Sequence, residues 1–191
     1  NMNEDWKIVP LDTTLHLTHN FDIVTGGKAK GLYVAAKEGV KFVSDDFSPV
    51  KKVKAENITG MDKGTGEIKV GKMGKDKNFI ATVEPMHGTA IVVYLKDDNA
   101  KRIVLDDNVK EGHALGVADF SGSGSDQVVA GWRGANKDGK VGIKIYTMQD
   151  ASGEKWTAEW VDENGMACED IQIADLNGDG KPDIIASGRA T

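Results

Sequence analysis

Apolar residues in this chain recur at every second position in short runs, and turn-forming residues break those runs. GVKFV, TAIVVYLKD, AKRIVLDD, VGIKIYTM and KWTAEWVDE all read this way. Alternating β-branched and aromatic residues bounded by Gly, Asn and Asp predict β-strands. No segment carries a 3.6-residue apolar stripe of helical length. The expected class is all-β.

The strands come in repeating sets. Four segments can be laid over one another: HNFDIVTGGKAKGLYVAAKEG from His19, EIKVGKMGKDKNFIATVEPMHG from Glu67, HALGVADFSGSGSDQVVAGWRG from His113 and EDIQIADLNGDGKPDIIASGRA from Glu169. By subtraction, their starts lie 48, 46 and 56 residues apart. Each segment holds a strand, a Gly- and Asp-rich turn and a second strand. Two further strand-like runs follow each of the first three. Four antiparallel strands per unit is the pattern of a β-propeller blade, running A to D from channel to rim. The expected units are a rim strand of a preceding blade (1–14), blades at 15–60, 61–108 and 109–163, and the first half of a last blade (164–191). A flat β-sandwich is the structural alternative. Three and a half blades leave sheet edges bare. Further blades, in the same or a companion chain, are therefore an expected partner.

Composition narrows the functional classes. The chain of 191 residues is 39% apolar and 28% charged, neither disordered nor membrane-spanning in character. No apolar run approaches the roughly 20 residues of a bilayer span, and no signal segment opens the chain. It does not begin with Met, so sequence beyond its ends is expected. The formal charge of −6 argues against a nucleic-acid partner, which needs a basic face. Cys168 is the single cysteine, which excludes an internal disulfide and reads as a small buried residue.

The motif DLNGDGKPDIIA, with HALGVADF and the late GRA, resembles the FG-GAP/VCBS family of propeller repeats. THNFD, EPMHG, GHALG and ASGRAT together are similar to the propeller domain of the aldos-2-ulose dehydratase family and its bacterial relatives. The resemblance implies a seven-bladed ring with a zinc site on one face, acting on keto-sugars by elimination of water. It also implies a periplasmic or extracellular location.

Two candidate metal sites follow from the repeats. Asp175, Asn177, Asp179 and Asp183 occupy alternate positions of DLNGDGKPD, and Lys181 offers a backbone carbonyl between them. Such a loop can wrap one hard cation, so structural Ca2+ is expected there. An Asx-rich turn without an ion is the alternative. Asp119 aligns with Asp175, but Ser121, Ser123 and Gln127 replace the other ligands, and no ion is expected there.

The second site lies on the opposite face. His19 and His113 share one repeat position, at the start of strand A, where the other repeats carry Glu67 and Glu169. His87 follows strand B, whose end lies on the same face. Three imidazoles with an open position suit catalytic Zn2+. Glu67 and Glu169 are candidate bases, or else ligands. Arg133 and Arg189 align at the end of strand B and fit either substrate binding or a salt bridge to the next blade. Trp132 could stack on a sugar or pack within a blade. Trp6, Trp156 and Trp160 are expected to pack in rim strands, and His16 to stay outside the metal shell. The leading functional reading is a metal-dependent carbohydrate lyase or dehydratase that acts on a keto-sugar or related saccharide by β-elimination. The alternatives are a zinc-free polysaccharide lyase and a non-catalytic, calcium-stabilised adhesion or assembly propeller.

Overall fold

A computed structural model describes residues 8, 10–26, 30–44, 55–57, 64–96 and 100–189. All of their regular structure is β. Three sheets are four-stranded antiparallel meanders: β1 (Phe21–Val24) to β4 (Ala55–Asn57), β5 (Glu67–Met73) to β8 (Lys101–Asp106), and β9 (Gly112–Ala118) to β12 (Trp156–Glu163). Their intermediate strands are β2 (Gly31–Ala36), β3 (Gly39–Ser44), β6 (Lys77–Glu84), β7 (Ala90–Leu95), β10 (Gln127–Trp132) and β11 (Gly142–Met148). A fourth sheet pairs β13 (Ala167–Ala174) with β14 (Asp183–Arg189). The first strands of successive sheets contact one another, β1 with β5, β5 with β9 and β9 with β13. These are blades of a partial β-propeller, with their first strands along the channel. The two packed layers of a sandwich are absent among the described residues. The expected rim strand before the first blade falls largely on residues 1–7 and 9, outside the described residues. So do Trp6 and most of VKKVKAENI, of which Ala55–Asn57 forms β4.

Middle strands must be apolar on both faces, because each blade is covered on both sides. β6 and β7 show how the period of two serves this. Ile80, Val92 and Tyr94 face the first blade, packing with Tyr33, Ala35 and Val40. Phe79, Ala81, Val83, Ile91, Val93 and Leu95 face the third, against Leu115, Val128, Ala130, Trp132 and Tyr146. Val129, between two of those third-blade residues, points to the fourth blade with Ala114, Ile143, Cys168 and Ile171. Side-chain to backbone bonds stitch the inner strands together: Val70 N donates to Asp22 Oδ2 at 2.9 Å, and Lys72 N to Asp126 Oδ2 at 2.7 Å.

Trp132 is 0% exposed, and its indole N–H donates to the Lys140 carbonyl at 2.9 Å. It is a core residue between blades, which closes the sugar-stacking alternative. Trp160 lies 5.3 Å from its ring, and Trp156 lies edge-on to Phe79 at 5.6 Å, so both pack as expected. Trp132→Ala is expected to lower the unfolding free energy by about 3–5 kcal/mol. A urea denaturation curve followed by far-ultraviolet circular dichroism measures it.

Candidate metal centre

Three imidazoles converge at one end of the inner strands. One ring nitrogen from each of His19, His87 and His113 lies within 4.8 Å of the other two. Ring centroids are 4.5 Å apart for His19 and His87, 4.7 Å for His87 and His113, and 5.4 Å for His19 and His113. Each histidine comes from a different blade. His16 stands apart, exposed, with Nδ1 2.7 Å from Glu38 Oε1.

Backbone carbonyls of the following blade orient two of the rings. His19 Nδ1 lies 3.0 Å from Gly66 O, and His113 Nδ1 lies 2.7 Å from Glu169 O. A carbonyl only accepts, so in the neutral form of each ring Nδ1 carries the proton and Nε2 keeps a free lone pair. This is the support that ligating histidines commonly have. His19 precedes β1 by two residues rather than opening it, yet its N–H still bonds Ala35 O at 3.1 Å. His113 lies within β9.

His87 rides on the turn after β6, in left-handed backbone at φ 50°. Thr89 N donates to Glu84 O at 2.9 Å and closes that turn. Gly112 N, next to His113, donates to Gly88 O at 3.0 Å, so two histidine-bearing segments are tied directly. Gly66 stands between the other two. Its carbonyl holds His19, while a Cβ on it would meet His87 N at 3.1 Å and Met86 Cα at 3.3 Å. His87 Nδ1 is buried without a hydrogen-bond partner. Burial, and the neighbouring charges of His19, His113 and Arg133, hold this imidazole below its usual pKa and favour the neutral form.

The two candidate carboxylates sit in different surroundings. Glu67 is buried, with Oε1 3.1 Å from His19 Nδ1 and Oε2 accepting from Asn20 Nδ2 at 2.6 Å. Burial pushes its carboxyl up to about 7, against the Asn20 hydrogen bond and the Lys69 charge. Glu169 is gripped by Arg133 Nη1 at 2.8 Å and Arg189 Nε at 2.6 Å. Burial alone would raise Glu169, but Arg133, Arg189 and His113 outweigh it and leave the carboxyl below the usual range. A carboxylate so held is a weak base, so Glu67 is the better placed of the two. Arg133 makes the salt bridge to the next blade, and Arg189 completes it while remaining 56% exposed at its side chain. Asn20 went unnoticed in the sequence; its signal was a polar residue directly beside His19 at the head of an alternating strand.

The Asp-rich loop joins β13 to β14 on the opposite face. Asp175 accepts from the N–H groups of Gly178, Asp179 and Gly180 at 2.7, 3.1 and 2.8 Å. Asn177 Oδ1 accepts from Asp179 N, and Asp179 Oδ1 from Lys181 N. Asp183 accepts from Leu176 N at 2.9 Å. The corresponding loop from Asp119 closes the same way, with Gln127 Oε1 taking Phe120 N at 2.8 Å. The shared scaffold is thus an Asx-type turn, in which the fourth blade carries carboxylates where the third has Ser and Gln. Between the two faces, the inner strands line a cavity of about 1020 Å³ near Asp22, Lys69, Lys72 and Gln172.

Residues 119–186 match the model of a family described as FG-GAP-like repeat. No curated protein matches the chain. The matched stretch runs from the Asp119 loop through the Asp175 loop into β14, so it covers the last three strands of the third blade, β13 and the start of β14. The three histidines lie outside it.

Cys168 is fully buried against Gly131, and burial, then the charges of Asp170 and Asp162, pushes its thiol up to about 12. A buried neutral thiol is inert. Ellman's reagent at pH 8 is expected to leave the folded chain unlabelled and to titrate one thiol once denaturant is added. Rapid labelling of the native chain would contradict this packing.

Proposed function

We propose that His19, His87 and His113 form a zinc centre serving a carbohydrate lyase or dehydratase, which acts on a keto-sugar or related saccharide by β-elimination. The observation that carries this reading is the convergence of three imidazoles from three blades, two with Nδ1 held by carbonyls and Nε2 left free. Three neutral nitrogens and an open position are the donor set of catalytic rather than structural zinc. When bound, zinc would polarise the sugar carbonyl and so acidify the neighbouring C–H.

The protein's own groups would supply the rest. Glu67, held by Asn20 beside His19, is the base in this reading. Arg189, the more exposed of the two guanidiniums, is the one able to meet a substrate oxygen, while Arg133 neutralises Glu169. The resemblance of THNFD, EPMHG, GHALG and ASGRAT to aldos-2-ulose dehydratase propellers supports a keto-sugar substrate. The same reading includes Ca2+ in the 175–183 loop, further blades beyond this chain, and a periplasmic or extracellular setting. Among the described residues no helix is long and apolar enough to cross a membrane. The FG-GAP-like match favours one other reading, an adhesion or assembly propeller without chemistry.

Elemental mass spectrometry of the chain, purified without chelators, decides between them. About one equivalent of zinc is expected in the wild type and none in a variant combining His19→Ala, His87→Ala and His113→Ala, with calcium kept by both. A wild type without any transition metal would overturn the zinc centre and favour the adhesion propeller or a zinc-free polysaccharide lyase.

A further inference from the structure

The metal reading leaves a buried charged cluster around Glu84 unused. Glu84, the last residue of β6, is only 5% exposed and carries four side-chain hydrogen bonds. Thr82 Oγ1 and Tyr94 OH donate to Oε1 at 2.9 and 2.7 Å, and Arg102 donates to Oε2 through Nε at 3.1 Å and Nη2 at 2.9 Å. The donors come from β6, β7 and β8, so the carboxylate is pinned across the whole blade. A buried carboxylate is costly unless its acceptor sites are filled. Four donors fill them here. Burial and the Glu84 charge push the Tyr94 hydroxyl above its ordinary pKa, so it stays a donor.

The backbone of the same residue anchors the turn that carries His87. Glu84 O accepts from Thr89 N, and a Cβ on Gly88 would lie 2.0 Å from Glu84 O, so the turn folds back onto Glu84 itself. His87 sits between these contacts with its backbone in the left-handed region. Of the three histidines it is the one whose ring nitrogen Nδ1 lacks a hydrogen-bond partner, so its placement must come from the turn.

We infer that Glu84 is a positioning residue for the metal centre: with Thr82, Tyr94 and Arg102 it clamps the 84–89 turn so that His87 meets His19 and His113. This inference rests on the proposed metal reading and extends it to a residue well outside the histidine set. Support of this kind around a metal site is typically worth about 10–100-fold in affinity.

Titration of the full chain with Co2+ tests it, because the visible absorption of the ion reports both affinity and coordination. Glu84→Gln removes the charge that Arg102 binds, and is expected to weaken Co2+ binding 10–100-fold and to alter the absorption band. Tyr94→Phe and Arg102→Met leave the carboxylate in place and are expected to weaken binding several-fold with the fold intact by circular dichroism. Val93→Ala, a core change in β7 away from the carboxylate, serves as control; it should lower the melting temperature and leave affinity unchanged. Wild-type affinity and spectrum in Glu84→Gln, or in both milder variants if Glu84→Gln does not fold, would overturn the clamp. A wild type that binds no Co2+ would overturn the metal reading and the clamp together. Binding lost in His87→Ala but untouched by the clamp variants would remove the clamp alone.

Discussion

The central strands β7 and β10 are buried and almost wholly apolar on both of their faces, and the rest of the structure depends on that. A sheet built this way cannot expose either side to water, so each blade must be covered by a neighbour. β6 and β7 send alternate side chains to the first and third blades, and β10 divides its residues between the second and fourth. The strands have no freedom to slip, because a shift of one residue would exchange the two faces. The blades therefore stack in a fixed register, and the ends of their inner strands meet in a fixed pattern.

The histidine cluster is a consequence of that stacking. No blade holds more than one of the three rings, and the rings of His19 and His113 are each held by the following blade. Gly66 of the second blade holds His19 of the first, and Glu169 O of the fourth holds His113 of the third. The His87 turn is tied to β9 through Gly88 and Gly112. Assembly of blades and assembly of the site are thus one event. The charged surround follows the same rule, since Arg133 of the third blade and Arg189 of the fourth share the carboxylate of Glu169. On the opposite face the loops themselves are built locally. Its Asp-rich loops close on their own backbone N–H groups, whether the loop carries three carboxylates or mostly serines.

Much of this was legible in the sequence. Strand alternation and the recurring segments led to four-stranded blades. Aligning His19 with His113, and placing His87 after strand B, put three imidazoles on one face. Two kinds of feature were hidden. Trp132 has the same sequence context whether it faces a sugar or the core, and only the partner blade decides that it is buried. Glu84 looks like an ordinary strand-end acid, because its partners Tyr94 and Arg102 belong to the next two strands. Glu67 and Glu169 share a repeat position yet differ in character. One is buried beside Asn20 of the preceding blade, and the other is gripped by Arg189 of its own blade and by Arg133, which the third blade brings near.

The sequence by itself determined what is local and periodic: strand, turn, repeat length, the blade and the end of the blade at which each histidine stands. These follow from a period of two and from turn chemistry, which act over a few residues. Tertiary structure alone decided distances, burial and charge: how closely the imidazoles meet, which nitrogen of His19 and His113 is free, which carboxylate is desolvated, and what pins the His87 turn. Each of these depends on groups 10 to 60 residues apart, such as Glu84 and Tyr94 or His113 and Glu169. Desolvation and hydrogen-bond geometry of this kind exist only once strands have paired and blades have packed.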